Sequence, residues 1–251
     1  MDLKCVTISG TNEYTDIKDL VDLLCKYPKA EIGIQVSDEK ASYQSKRYEW
    51  FFQLYDYAKT LKQNLNVALH INPGWVEKVC EGYIPVELLK MMSLKNPNGG
   101  LFVKRLQLNF KIGRDQVDLN YDRLRWVIKL FYHHRFILSY NEANKEFIDQ
   151  FYFTYGPCFD LLFDSSHGEG ITPQEWQPAV YPMVFQGYSG GLSSDNIAKV
   201  LTKIALMNVG NVPIGIDAEG KLKGDDGHLD LAKAANFLEA ATPWLAKDQV
   251  K

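Results

Sequence analysis

The sequence predicts a single (βα)8 TIM barrel spanning residues 1–251, and three observations lead to it. Runs rich in strand-forming residues alternate with runs that carry helical periodicity. About eight such units follow one another, roughly one per 30 residues. No linker rich in Pro, Gly or Ser divides the chain, and NPNGG at 96–100 is a turn inside it.

The elements follow in order. Residues 3–9 read as a strand and 16–26 as a helix, with Thr15 as its N-cap and Leu20, Val21, Leu23 and Leu24 at helical spacing. Strand 31–37 precedes a helix over 47–62. Strand 65–71 precedes helical patches at 75–80 and 86–92. Strand 101–110 leads to helix 122–133, and strand 135–139 to helix 141–151. Strand 159–164 opens into a loop and a helical segment that includes Trp176. Strand 182–185 leads to helix 194–207, and strand 212–217 to a last helix over 230–239. This alternation argues for a parallel sheet with helices outside it. Eight units suit a closed barrel better than an open doubly wound sheet.

Composition narrows the function classes. The chain is 46% hydrophobic and 24% charged, which suits a packed core and excludes bulk disorder. A net charge of −3 provides no general attraction for nucleic acid or an anionic membrane surface. No apolar run approaches the length of a membrane span, and the first ten residues do not read as a signal peptide. A cytoplasmic protein is expected, as a monomer or homodimer. Cys5, Cys25, Cys80 and Cys158 are far apart in sequence and read as free thiols. GDDGH at 224–228 lacks the alternating oxygen ligands of a calcium loop. Neither a metal nor an organic cofactor is expected.

In such a barrel, function collects at the C-terminal strand ends. The residues placed there are Ser9, Gln35, Ser37, His70, Asn109, Ser139, Asn141, Asp164, Gly187 and Asp217. The segment QGYSGGLSSDN at 186–196 puts Gly187, Gly190 and Gly191 after a strand and Ser193 at a helix start. The eighth strand ends in Asp217, Ala218, Glu219 and Gly220. Glycine-bearing loops after strands seven and eight are where barrels often bind phosphate. Gly187, Gly190, Gly191, Ser193, Glu219 and Gly220 are therefore the expected phosphate site, or else ordinary tight turns. Asp164 ends the apolar run FDLLFD, where a carboxyl group serves as general acid or as a hydrogen-bond anchor. The loop after it carries His167, read as a loop side chain rather than a catalyst. His70 ends the third strand with a ring suited to proton transfer, or is a hydrogen-bonded barrel histidine. Arg47, Asn109 and Asp217 are candidate contacts for the rest of a ligand.

The stretches LLFDSS, GEG and EW, then GYSGGLSSDNI, then IGIDAEGKLKGDDGHLDLAKAANFL, resemble phosphoribosylanthranilate isomerase over roughly the last 90 residues. The first 150 are similar only in strand order. EIGIQVS, RYEW, LHINPGW and RLQLNF also resemble the second to fourth strands of uncharacterised isomerase-like barrels. The resemblance implies an Amadori rearrangement of a phosphoribosyl amine, with Asp164 as general acid. It also implies a cysteine base at the end of the first strand, where this chain has Ser9. A thiol with a pKa of about 8.5 reaches its anion at modest cost, whereas a serine hydroxyl needs a neighbouring base. Cys5 lies on the same strand face but about 13 Å lower.

Three readings remain open. One is an isomerase acting on a phosphorylated sugar or sugar amine, with Asp164 as acid, His70 as base and Ser9 in the family's base position. Another is a non-catalytic barrel that binds a phosphorylated metabolite. The third is a different phosphosugar enzyme, such as an epimerase.

Overall fold

Eight parallel strands close into one barrel in sequence order, β1 pairing with both β2 and β8. The computed structural model describes residues 2–112, 119–164, 171–208 and 212–245. The strands are β1 (Asp2–Thr11), β2 (Ala30–Val36), β3 (Val67–Ile71), β4 (Val103–Leu108), β5 (Arg135–Tyr140), β6 (Asp160–Asp164), β7 (Gln186–Ser189) and β8 (Pro213–Ala218). The helices are α1 (Ile17–Lys26), α2 (Lys46–Thr60), α3 (Val76–Cys80), α4 (Val86–Met92), α5 (Tyr121–Leu130), α6 (Lys145–Tyr155), α7 (Ile197–Met207) and α8 (Leu231–Ala241). No described helix is long and apolar enough to cross a membrane.

Local chemistry starts the helices. Ser45 caps α2 by accepting the Tyr48 N–H, and Asn120 caps α5 by accepting that of Arg123. Asp230 does the same for α8. At α1 the cap is Asp16, which accepts the Asp19 N–H, and not Thr15. The Thr15 hydroxyl is engaged one turn earlier, by the Asn12 N–H. Helix α6 starts at Lys145 rather than 141 because Asn141 folds its side chain onto the Ala143 and Asn144 N–H groups. Asn144, fully buried, then donates to the Phe110 and Ser139 carbonyls and accepts the Ile112 N–H.

Strand β7 is the main correction to the sequence reading. It occupies Gln186–Ser189, not 182–185. Residues 182–184 form a turn that Gln186 closes, its Oε1 accepting the Val180 N–H and its Nε2 donating to the Tyr181 carbonyl. Gly187 therefore lies inside the strand and not in the loop. Its hydrogen faces Leu162, and an added Cβ would sit 2.8 Å from that side chain. No helix forms over 171–185, where the sequence suggests one around Trp176. Trp176 is instead buried, packed edge-on against Tyr188.

Alternation divides each strand between two environments. Outward-facing Ile8, Ile32, Ile34, Leu69, Leu106, Phe136, Leu161, Ile214 and Ile216 are buried in one apolar cluster with helix residues such as Leu20, Phe51, Leu124, Ile148, Leu201 and Phe237. The barrel interior is polar. In its lower layer Glu31 accepts hydrogen bonds from Thr7 and from Arg105, each at 2.9 Å. Arg105 also lies over the Phe185 ring, and Arg135 pairs with Asp160. The cysteines are free thiols. Burial pushes the Cys5 thiol up to about 12, so it stays protonated at the barrel bottom.

Candidate active site

The C-terminal ends of the strands surround a cavity of about 230 Å³. His70, Asn109, Asp164, Gly190, Gly191, Asp217, Glu219 and Gly220 all line it, so eight of the sequence-predicted site residues converge there. Ser9 lies beneath it. Its hydroxyl donates to Asp217 Oδ1 at 2.5 Å, across the seam that joins β1 to β8. His70 Nε2 lies 3.8 Å from Asp217 Oδ2. Gly33 permits this crowding, since a Cβ there would meet Ser9 Oγ at 2.3 Å and the His70 ring at 2.8 Å.

Burial dominates the electrostatics of this trio. It drives the His70 pKa down to about 4, against the pull of Glu219 and Glu31. It drives Asp217 up to about 7; the Ser9 hydrogen bond acts the other way, and Glu219 and Glu31 add to the rise. At neutral pH the imidazole is therefore neutral, and its contact with Asp217 is not an ion pair. Ser9 orients the Asp217 carboxyl and is not itself a base. Asp217 is the cavity carboxyl pushed into the neutral range. The sequence suggested only a ligand contact for it.

Three expected ligand contacts take other roles. Arg47 is buried at the start of α2, where its Nε donates to Glu13 at 2.6 Å and its Nη1 to the Gln35 carbonyl. It does not line the cavity. The Ser193 N–H donates to Asn196 Oδ1 and is not available to an anion. Glu219 accepts from Gln35 Nε2 and pairs with Lys223 at 2.9 Å, so it braces the rim and is no ligand for phosphate. The glycines are better placed. Gly190 and Gly191 both line the cavity with positive φ, +112° and +60°, a backbone conformation that favours glycine. Asn196 Nδ2 and Thr172 Oγ1 both donate to the Gly191 carbonyl and fix that loop. Asp164 closes β6, in register with Ser189. The 165–170 loop with His167 lies outside the described residues.

Gln107 and Asn72 were missed as site residues. Gln107 Nε2 donates to Asn109 Oδ1 at 2.9 Å, and Asn109 Nδ2 donates to Asn72 Oδ1 at 3.0 Å. Period-two alternation from Asn109 back to Gln107 is the signal that would have found the first. Asn72 lies one residue beyond β3 and carries no such signal.

These features define an α/β barrel with a polar cavity at its mouth. No family model matches the chain, and no curated protein matches it. Among solved structures it is similar to a phosphoribosyl anthranilate isomerase in complex with reduced 1-(o-carboxyphenylamino)-1-deoxyribulose 5-phosphate. The two are 13% identical with a TM-score of 0.55, over 97% of this chain and 100% of that one. It is also similar to the phosphoribosyl anthranilate isomerase of Thermus thermophilus, at 13% identity and a TM-score of 0.54, over 96% and 99% of the two chains. A DUF72 family protein from Enterococcus faecalis V583 matches at 12% identity and a TM-score of 0.56, over 97% and 99%. These likenesses establish the barrel fold.

Proposed function

We propose that the protein is an aldose–ketose isomerase of the Amadori type, acting on a phosphorylated sugar or sugar amine. The observation that carries the reading is the buried Asp217 carboxyl at the barrel mouth, oriented by Ser9 and pushed up to about 7. Isomerisation needs a group that removes a proton from C2 and returns it to C1, and a carboxyl titrating near neutrality suits both steps. Asp164, at the same mouth, donates to the ring oxygen as the sugar opens. Neutral His70 sits beside the proton-transfer group and adds no positive charge that would pull the carboxyl pKa back down. The glycine backbone at Gly190, Gly191 and Gly220 takes the phosphate.

The test is exchange of the C2 proton of ribose 5-phosphate with deuterated water, followed by NMR. Wild-type protein exchanges it, and Asp217→Asn slows exchange by at least about 100-fold. A wild-type protein that binds the sugar phosphate without any exchange is the alternative reading, a non-catalytic binding barrel. Ser9, standing where the family has its cysteine, is the observation in favour of that alternative.

A further inference from the structure

The three carboxamides on the β3–β4 side of the cavity form a directed chain, which we propose reads the hydroxyls of a single sugar unit with no aryl substituent. The inference builds on the reading above in taking this cavity as the substrate site.

Each carboxamide carries two N–H donors and two carbonyl lone pairs. The chain uses one N–H from Gln107 and one from Asn109, and one lone pair each on Asn109 and Asn72. Gln107 donates to Asn109, and the Asn109 amide group donates onward to Asn72. Three fixed amides therefore line the cavity, each a donor and acceptor side by side on an uncharged plane. Vicinal hydroxyls present the same pairing, and a planar amide matches it without requiring charge.

The rest of the lining gives an aryl ring no stacking partner. Besides the His70 imidazole, the one aromatic ring among the described lining residues is that of Phe110, and it is edge-on to Phe147 of α6, outside the barrel. An aryl group placed here finds polar walls where it needs apolar ones. The volume, about 230 Å³, is also below the range of about 300–1,000 Å³ usual for drug-sized ligands and suits one monosaccharide. The similar isomerase was solved with a carboxyphenylamino sugar phosphate, so the two cavities should differ in selectivity at this end.

The experiment is calorimetry on the full chain with four probes: ribose, ribose 5-phosphate, inorganic phosphate and 1-anilino-1-deoxyribulose 5-phosphate. Both sugars bind, and the anilino compound binds at least about tenfold more weakly than ribose 5-phosphate. Asn109→Ser weakens both sugars about tenfold, one hydrogen bond's worth, and leaves inorganic phosphate unchanged. Asn72→Ser is the independent variant, and thermal unfolding confirms that each is folded. Equal or tighter binding of the anilino compound overturns the proposal. So does an equal loss of phosphate affinity in both variants, or a failure of both sugars to bind. Amide-dependent sugar binding without C2 exchange sinks the isomerase reading and leaves this subsite standing. Exchange on the anilino compound, insensitive to both amide variants, does the reverse.

Discussion

Asp217 and His70 are buried against each other and titrate in opposite senses. Asp217 has its folded pKa raised from 3.8 to about 7. The stability tied to it is complete below pH about 4 and is lost as pH rises through about 7. His70 has its folded pKa lowered from 6.5 to about 4, so its contribution is complete above pH about 6.5 and is lost as pH falls through about 4. The two slopes oppose each other across the shared window and largely cancel in the wild type. Relative to wild type, Asp217→Asn makes the thermal midpoint climb between pH about 4 and 6.5, while His70→Asn makes it fall between about 4 and 7. Unfolding curves at a series of pH values check both, and unchanged profiles in the two variants would sink the assignment. Gly33→Ala is expected to unfold the protein or displace the trio, since its Cβ lands 2.3 Å from Ser9 Oγ. Little of this residue-scale detail is legible in the sequence. Ser9 and Asp217 are 208 positions apart, and their hydrogen bond exists only because β1 closes against β8.

At the scale of elements, periodicity locates helices α1 to α8 to within about a turn, because it is a local property, but it also suggests a helical segment at Trp176 that does not form. β7 escaped because its residues look like a loop. Gln186 and Gly187 are a polar residue and a glycine, and each is chosen by what surrounds it: a turn to close and a Leu162 side chain to admit. The loop after β7 depends on Asn196, which ties the Gly191 carbonyl and the Ser193 N–H together. Asn196→Ala removes both bonds and costs about 1–3 kcal/mol. It should also weaken inorganic phosphate about tenfold in a calorimetric titration. Unchanged phosphate affinity in a folded Asn196→Ala protein would remove this loop from the anion site.

Across the whole molecule, the apolar core sits between barrel and helices, and the barrel axis is polar from the Arg105 layer to the mouth. That arrangement holds the lower layer by charge pairing. Glu31 accepts from both Thr7 and Arg105, and its side chain is almost wholly buried. Glu31→Gln removes the carboxylate in contact with Arg105, leaving only Asp160 and Asp217 nearby, and should cost roughly 3–5 kcal/mol in denaturant unfolding. A loss below about 1 kcal/mol would mean that Arg105 finds another partner.

The order and number of βα units, the closure they favour and the strand ends that meet around the cavity were all determined by the sequence itself. Each depends on a periodicity of a few residues or on a count of segments. The tertiary structure alone decided that Arg47 is occupied by Glu13, that Glu219 braces Gln35, that three amides join across β3 and β4, and that Asp217 rather than His70 titrates near neutrality. Those outcomes depend on burial and on neighbours brought together by barrel closure. A carboxyl group has the same intrinsic pKa wherever it stands in a sequence, and only the low-dielectric surroundings assembled by folding move it.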